Sequence, residues 1–524
     1  MIVDYRSSEV PNDIAADLII IGAGACGITI CREFIGRAQK VCLLEAGGLD
    51  YDEQSQDSYS GKNVGLPYFG LEDCRLRYFG GSTNHWGGLC LRIEPDDFKE
   101  RPWIPLSGWP LTHEELSRFY ARAAAIVQIG EPRFDESLWR DLDIQPPQFD
   151  PHKLITRFGR DSPTRFGLQY REELSKAENI TIYLNANVTK FVASAAGDHL
   201  DCVQISAYQG KRGVAKGTAF VLATGGIENA RLLLNSDVTP NGLGNSSGFV
   251  GRCFMEHAHV SSGLVASDIE TPLRVAFDKH PTNPGLNAFY AGWRAVHDRQ
   301  FPEHPFGIAY NVLRHFETVA TALYGKVVYN EFGKFLDPED LRSFNPHLAL
   351  APEVQEQEQV ADICATLWGR RTGMTDVLVR LEPRPNPDSR VLLDEERDQL
   401  GLRRAMLDWR LTTEDRKTVA VFMKTLASEL GRLDAGRVKI EEWVLNPENP
   451  WPTSMYAGNH HMGTTRMSRE RDKGVVDPDC RSHDVDNLYI GGSSVFPTVG
   501  FANPTFTIVS MSLRLAEHLE SKLT

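Results

Sequence analysis

The segment that most constrains the fold is Asp17-Leu18-Ile19-Ile20-Ile21 followed directly by Gly22-Ala23-Gly24-Ala25-Cys26-Gly27. Its first half is short, β-branched and wholly apolar, as a strand covered on both faces must be. The glycines permit a tight turn, a close backbone approach and close packing of the next helix on the strand. The pattern predicts that helix over residues 28–36 and a second strand over 40–45, where Val41-Cys42-Leu43-Leu44 is apolar. Together these make a βαβ unit. Glu45 ends the second strand near the roughly 20-residue spacing at which an acidic side chain meets ribose hydroxyls. Gly22, Gly24 and Gly27 would let backbone N–H groups approach a pyrophosphate at the positive end of the helix. The motif serves NAD and FAD alike.

Similar punctuation returns later. Residues 185–192 and 202–208 alternate with strand period and predict a small antiparallel pair. Ala219-Phe220-Val221-Leu222-Ala223-Thr224-Gly225-Gly226 reads as another buried strand ending in glycines, with a helix over 228–235. Between about 260 and 450 the glycine motifs give way to strands and amphipathic helices. Val419, Phe422, Met423, Leu426 and Leu430 keep helical spacing within a helix over 413–431. Glycine motifs return from 459, and the chain closes with a helix predicted over 511–519.

The expected fold is α/β. A Rossmann-like FAD-binding domain would be assembled from 1–100, 180–260 and 455–524. A second, α+β substrate domain on an antiparallel sheet would use 101–179 and 261–454. A chain of 524 residues is long enough for two such units.

The net charge of −14 argues against nucleic acid and an anionic membrane surface as partners. Nine cysteines without CxxC pairs or His-rich spacing read as reduced thiols, and no metal site is expected. Met1 to Glu9 has no basic stretch leading into an apolar run, and no stretch reaches the roughly 20 apolar residues of a membrane span. A soluble, cytoplasmic protein is expected, its oligomeric state left open.

Near the end lie Asn459-His460-His461-Met462-Gly463-Thr464-Thr465 and Gly500-Phe501-Ala502-Asn503-Pro504-Thr505. An imidazole that can take a proton and a carboxamide that can hold an oxygen are what alcohol oxidation needs beside a hydride acceptor.

With Glu45-Ala46-Gly47-Gly48, Arg77-Tyr78-Phe79-Gly80-Gly81-Ser82-Thr83-Asn84-His85-Trp86-Gly87-Gly88 and residues 223–234, these motifs resemble the glucose-methanol-choline (GMC) oxidoreductases from Asp17 to Leu519. The GGSTNHWGG loop, the paired histidines and Pro385-Asn386-Pro387-Asp388-Ser389-Arg390 resemble the pyranose oxidase branch and its sugar- and glycoside-oxidising relatives most closely. The resemblance implies FAD and oxidation of a sugar or glycoside hydroxyl, with O2 or another acceptor taking the electrons. By the same likeness some relatives are lyases that keep the flavin for structure, and others are subunits of dehydrogenase complexes.

It also implies roles. His460 would be the general base and Asn503 its partner on the substrate oxygen, with His461 facing structure. Cofactor contacts would come from Gly22, Gly24, Gly27, Glu45, Ala46, Arg77, Gly80, Ser82, Asn84, His85, Trp86, Gly87, Gly88, Val188, Ala223, Gly225, Gly492, Asn503 and Thr505. His85 matches a position that in the branch either attaches covalently to the flavin's 8α-methyl group or only packs on the ring. Gly87 and Gly88 depart from relatives that carry a hydroxyl residue there. Gly491-Gly492-Ser493 likewise offers no carboxylate where many relatives have one. Tyr310, Asn311, His315, Glu382 and Arg384 are polar candidates in the middle segment, none preferred.

Overall fold

The computed structural model describes residues 1–135, 137, 147–236, 241–268 and 372–524, together with strand backbones at 289–295, 309–315, 328–329 and 335–336; side chains are described outside 266–376. The side chains of Tyr310, Asn311 and His315 therefore lie outside the described residues.

A six-stranded sheet runs in the order Ile2–Asp4, Ile180–Leu184, Val41–Leu44, Leu18–Ile21, Ala219–Leu222, Leu488–Ile490, every neighbouring pair parallel. Val41–Leu44, Leu18–Ile21, Ala219–Leu222 and Leu488–Ile490 are buried along their whole length, which explains their apolar sequence, whereas Ile180–Leu184 alternates. Because the strands are parallel, the turns after Ile21, Leu44, Leu222 and Ile490 all emerge at one edge. Gly22, Glu45, Ala223 and Gly492 are thereby brought together from distant parts of the chain.

The helix after Ile21 runs Ala25–Glu33, earlier than the sequence suggested. Gly24 caps it, and Gly27 lies inside it because a Cβ there would stand 2.0 Å from Gly22 O. The next such helix is Gly226–Leu234. The last helix, Pro504–Lys522, begins a full two turns before the apolar pattern becomes clear at 511. Its early hydroxyl residues Thr507, Ser510 and Ser512 are buried, and Ser510 and Ser512 donate to carbonyls one turn back, so a polar-looking stretch is core.

The second large sheet is antiparallel. It runs Arg437–Ile440, Ala258–Asp268, Thr372–Leu381, Ala309–His315, Phe289–Ala295, Leu154–Asp161, Leu89–Cys90, with Tyr456–Ala457 added on Ala258–Asp268. Leu89–Cys90, grouped by sequence with the cofactor segments, pairs here instead. Residues 187–193 and 200–206 form the expected antiparallel pair. The helix Thr413–Arg432 opens on a capping box in which Thr412 and Asp415 bond reciprocally, and it buries Val419, Phe422, Met423, Leu426 and Leu430. Eight cysteines are described, all free and buried. Among the described residues no helix is long and apolar enough to cross a membrane.

Candidate active site

Three glycines at the carboxyl edge of the parallel sheet frame a cradle. Added Cβ atoms at Gly24, Gly225 and Gly492 would meet nothing within 4 Å, although Gly22 and Gly27 beside them are crowded. Gly22 (φ +101°) would set a Cβ 2.7 Å from Ala223 O, so it makes the turn, while Gly27 makes the helix contact. Gly24 leaves backbone clear at the head of the Ala25–Glu33 helix, where its N–H groups and dipole favour an anion. The three glycines thus divide into the three tasks a dinucleotide fingerprint requires.

Glu45 is buried at its strand end. Its Oε2 accepts from Ala23 N–H and its Oε1 from Gly47 N–H, each at 2.9 Å. Burial raises its pKa, and those hydrogen bonds with the charge of Arg77 oppose the rise. An ionised carboxylate has about four acceptor sites, so two remain for a ribose. Ala46 follows on the backbone, and Val188 is the second residue of the Asn187–Ala193 strand, whose approach is tethered by Ala186 N–H to Glu45 O at 2.9 Å. Nη1 of Arg77 is taken up by Asn187 Oδ1 (2.7 Å), Tyr208 Oη (3.1 Å) and Ser55 Oγ (3.3 Å). Arg77 thus braces the loop behind the cradle.

Gly80 and Gly81 both have positive φ and carry a short 3-10 turn to Asn84. Ser82 Oγ accepts from Leu76 N–H, and Asn84 Nδ2 donates to Phe79 O, which fixes the loop. His85 then projects with an exposed ring that has no protein hydrogen bond among the described residues. Partial burial and the Arg165 charge lower its pKa, which favours the neutral imidazole. Trp86 is held by its indole N–H on Thr164 O (2.8 Å). Gly87 faces open space, whereas Gly88 (φ +81°) lies against Ser162 O.

The catalytic candidates meet where the antiparallel sheet abuts the last helix. His460 Nε2 stands 3.2 Å from the amide nitrogen of Asn503. Asn503 precedes the first residue of the Pro504–Lys522 helix, yet its side chain makes no capping hydrogen bond and is left to the site. Thr505 lies in that helix's first turn, where free backbone N–H groups concentrate positive potential. His461 turns away: its ring lies near Tyr68 and Phe254, and its buried Nε2 has no partner among the described residues.

Sequence reasoning missed four residues here. His257, fully buried, places Nδ1 2.8 Å from Nδ1 of His460 and Nε2 2.8 Å from Gly500 O. Arg380 donates from Nη1 to Asn503 Oδ1 at 2.5 Å. Glu256 accepts the backbone N–H of His460 (2.9 Å) and of Gly458 (3.2 Å), and Tyr68 Oη donates to it in turn. Burial pushes the Glu256 carboxyl up to about 7. The available signal was Glu256-His257-Ala258-His259, whose alternation sets both histidines on one face. No signal marked Arg380, because its proximity to Asn503 comes from strand pairing of His259 with Arg380. Glu382 is buried against Arg101 (3.3 Å) and accepts Gly500 N–H, so it supports the site from behind, whereas Arg384 pairs with Glu414.

The GMC oxidoreductase family profile matches residues 385–512, and that of FAD-dependent oxidoreductases matches residues 17–242. Over these segments the chain is similar to the GMC oxidoreductases and to the FAD-dependent oxidoreductases. It is 23% identical to 2-methyl-1,2-propanediol dehydrogenase of Mycolicibacterium austroafricanum, over 97% of this chain and 96% of that one. It is 22% identical to the fructose dehydrogenase large subunit of Gluconobacter japonicus, over 97% and 98%. Formate oxidase shares the fold, with a TM-score of 0.57 at 14% identity over 98% of this chain and 99% of that one. The chain is an FAD-dependent oxidoreductase acting on CH–OH donors. The cradle of Gly24, Gly225 and Gly492 beside buried Glu45 fits that dinucleotide.

Proposed function

We propose that this FAD-dependent oxidoreductase oxidises a hydroxyl-bearing carbon of a sugar or glycoside to the carbonyl, with His460 as general base and Asn503 as the group that holds the substrate oxygen. The observation that carries the reading is the 3.2 Å approach of His460 Nε2 to the Asn503 amide, with the helix N-terminus beside it. Bound FAD supplies a two-electron acceptor. Gly24, Gly225, Gly492 and Glu45 would hold it, together with the loop from Gly80 to Gly88 and backbone at Ala46, Val188, Ala223 and Thr505.

A hydroxyl between His460 and Asn503 would give its proton to Nε2 as the O–H bond breaks. The amide N–H of Asn503 would donate to the oxygen as negative charge develops there. A neutral amide cannot act as a base near neutral pH, so the two roles do not exchange. Burial lowers the pKa of His460, the neighbouring His257, Arg380, His259 and His461 lower it further, and the ring therefore starts neutral. A sugar or related polyol as substrate is supported by the GGSTNHWGG loop and by the name of the fructose-oxidising relative.

The test is anaerobic stopped-flow reduction of the flavin by a panel of monosaccharides and O- and C-glycosides, with product analysis for the carbon oxidised. Bleaching by at least one sugar is expected, and its loss in His460→Ala with flavin still bound. A flavin that stays oxidised with every sugar while other alcohols bleach it sinks the substrate class. Wild-type reduction by His460→Ala sinks the base. Oxygen consumption during turnover distinguishes O2 from another acceptor.

A further inference from the structure

We propose that His257 is a positioning residue that dictates the tautomer of His460, so that its Nε2 meets the substrate hydroxyl as a bare lone pair. The proposal rests on His460 being the base, and it follows from counting hydrogens along a chain of contacts.

The carbonyl oxygen of Gly500 can only accept. Nε2 of His257, 2.8 Å away, is therefore the protonated nitrogen of that ring. A neutral imidazole carries one N–H, so Nδ1 of His257 is a lone pair. It faces Nδ1 of His460 at 2.8 Å, and two lone pairs cannot bond. The hydrogen in that contact must belong to His460. One N–H being spent on Nδ1, Nε2 of neutral His460 is left without a hydrogen.

A second chain of contacts reaches the same atom independently. A guanidinium has no acceptor, so the atom of Asn503 that Arg380 touches at 2.5 Å is its oxygen. The amide NH2 therefore points the other way, to His460 Nε2 at 3.2 Å, where it needs a lone pair. One chain runs Gly500–His257–His460 and the other Arg380–Asn503–His460. Both assign the same polarity to Nε2.

His257 holds this polarity only while neutral, and its surroundings keep it so. The ring is wholly buried, and burial together with the charge of Arg380 pushes its pKa down to about 3. The groups facing His460 are His257, His259, Arg380 and His461, with Glu256 on its backbone N–H. Space is kept for the paired rings by Gly458, where a Cβ would stand 3.0 Å from His460 Nδ1 and 2.9 Å from His259 Nε2. In the proton transfer the substrate O–H bond breaks and an Nε2–H bond forms. The Nδ1–H of His460 stays on His257 throughout, so His257 orients the base and carries no proton away.

The test uses the holoenzyme. His257→Phe keeps the ring shape and removes the acceptor, whereas His257→Asn offers an amide oxygen near the place of Nδ1. Turnover of His257→Phe should fall roughly tenfold or more, the usual cost of losing an orienting partner, with KM little changed. His257→Asn should recover most of the loss. In nitrogen-15 spectra of histidine-labelled holoenzyme, assigned against His460→Ala, wild-type His460 should show a protonated Nδ1 and a bare Nε2. The two nitrogens should move toward averaged shifts in His257→Phe.

Wild-type turnover and pH profile in His257→Phe, or a protonated Nε2 in the wild-type spectrum, would overturn the proposal. If His257→Phe does not fold, His257→Asn and the wild-type spectrum still decide it. A His460→Ala enzyme reduced at the wild-type rate would remove the base assignment itself. An inactive His460→Ala beside a normal His257→Phe would remove only the role of His257.

Discussion

Arg380 and Asn503 share one hydrogen bond, 2.5 Å from Nη1 to Oδ1, and that bond decides which end of the amide faces His460. The strand of Arg380 belongs to the antiparallel sheet, and Asn503 introduces the helix that closes the chain. The antiparallel sheet and the closing helix therefore meet at this contact. Replacing Arg380 with Met should leave Asn503 Oδ1 without that donor and loosen the orientation of the amide toward His460. Turnover should fall roughly 10- to 100-fold with flavin content unchanged, as when a partner that orients a catalytic group is lost. Stopped-flow reduction and the absorbance ratio of flavin to protein check both.

Asn503 separates chemistry from helix stability. Its side chain makes no capping bond, so Asn503→Ala should lower thermal stability by less than the ~1 kcal/mol that loss of a capping side chain usually costs. Loss of the donor to the developing alkoxide should cost roughly 10²- to 10³-fold in the reductive rate. Asn503→Asp should remain folded, since a carboxylate at a helix N-terminus facing Arg380 is favourable, but lose turnover because it cannot donate.

The pH dependence follows from direction. His460 has a lowered pKa, so the neutral base persists below pH 6.5, and the acid limb of kcat/KM should lie below that value. Stability follows the same sign. His257 and His461 titrate near 3 in the folded protein and near 6.5 unfolded, so the unfolded chain binds the extra protons between those values. Their contribution is full above pH 6.5 and is lost as pH falls toward 3, at up to ~1.4 kcal/mol per pH unit for each ring. Glu256, raised to about 7, acts oppositely, and its contribution is lost as pH rises from its ordinary range through 7. Denaturant titrations from pH 8 to 4 should show the histidine slope reduced in His461→Phe.

Two glycines of the fingerprint should part company on mutation. Gly24→Ala places a methyl in open space and should leave the apoprotein as stable as wild type while weakening FAD retention. Gly27→Ala drives a methyl to 2.0 Å from Gly22 O and should destabilise the apoprotein as well. Melting temperatures measured without added FAD, since bound cofactor itself stabilises, separate the two.

Among the described residues His85 has no protein hydrogen bond on its ring, which is poised to be neutral. If it attaches covalently, acid-denatured enzyme should leave a yellow pellet and His85→Ala a colourless one. A colourless wild-type pellet with free FAD in the supernatant assigns His85 to packing alone.

Local patterning carried much of this. Leu18–Ile21 and its glycines announced a parallel strand, a turn and a helix, because those elements are dictated by neighbours in sequence. Helix starts were less legible. The Pro504–Lys522 helix hides its first turns behind Thr507, Ser510 and Ser512, whose hydroxyls are buried within it. His460 and Asn503 were visible as candidates because each lies in a compact motif. His257 and Arg380 were not, because they reach the site through the pairing of Ala258–Asp268 with Thr372–Leu381.

By itself, then, the sequence specified a glycine cradle, whose chemistry is written in backbone freedom at particular glycines, and offered a candidate base and a candidate amide. Only the tertiary structure decided which nitrogen of His460 and which end of Asn503 face each other. That polarity is set by hydrogen bonds from Gly500, through His257, and from Arg380, and strand register and a helix terminus bring those groups together across long spans of chain.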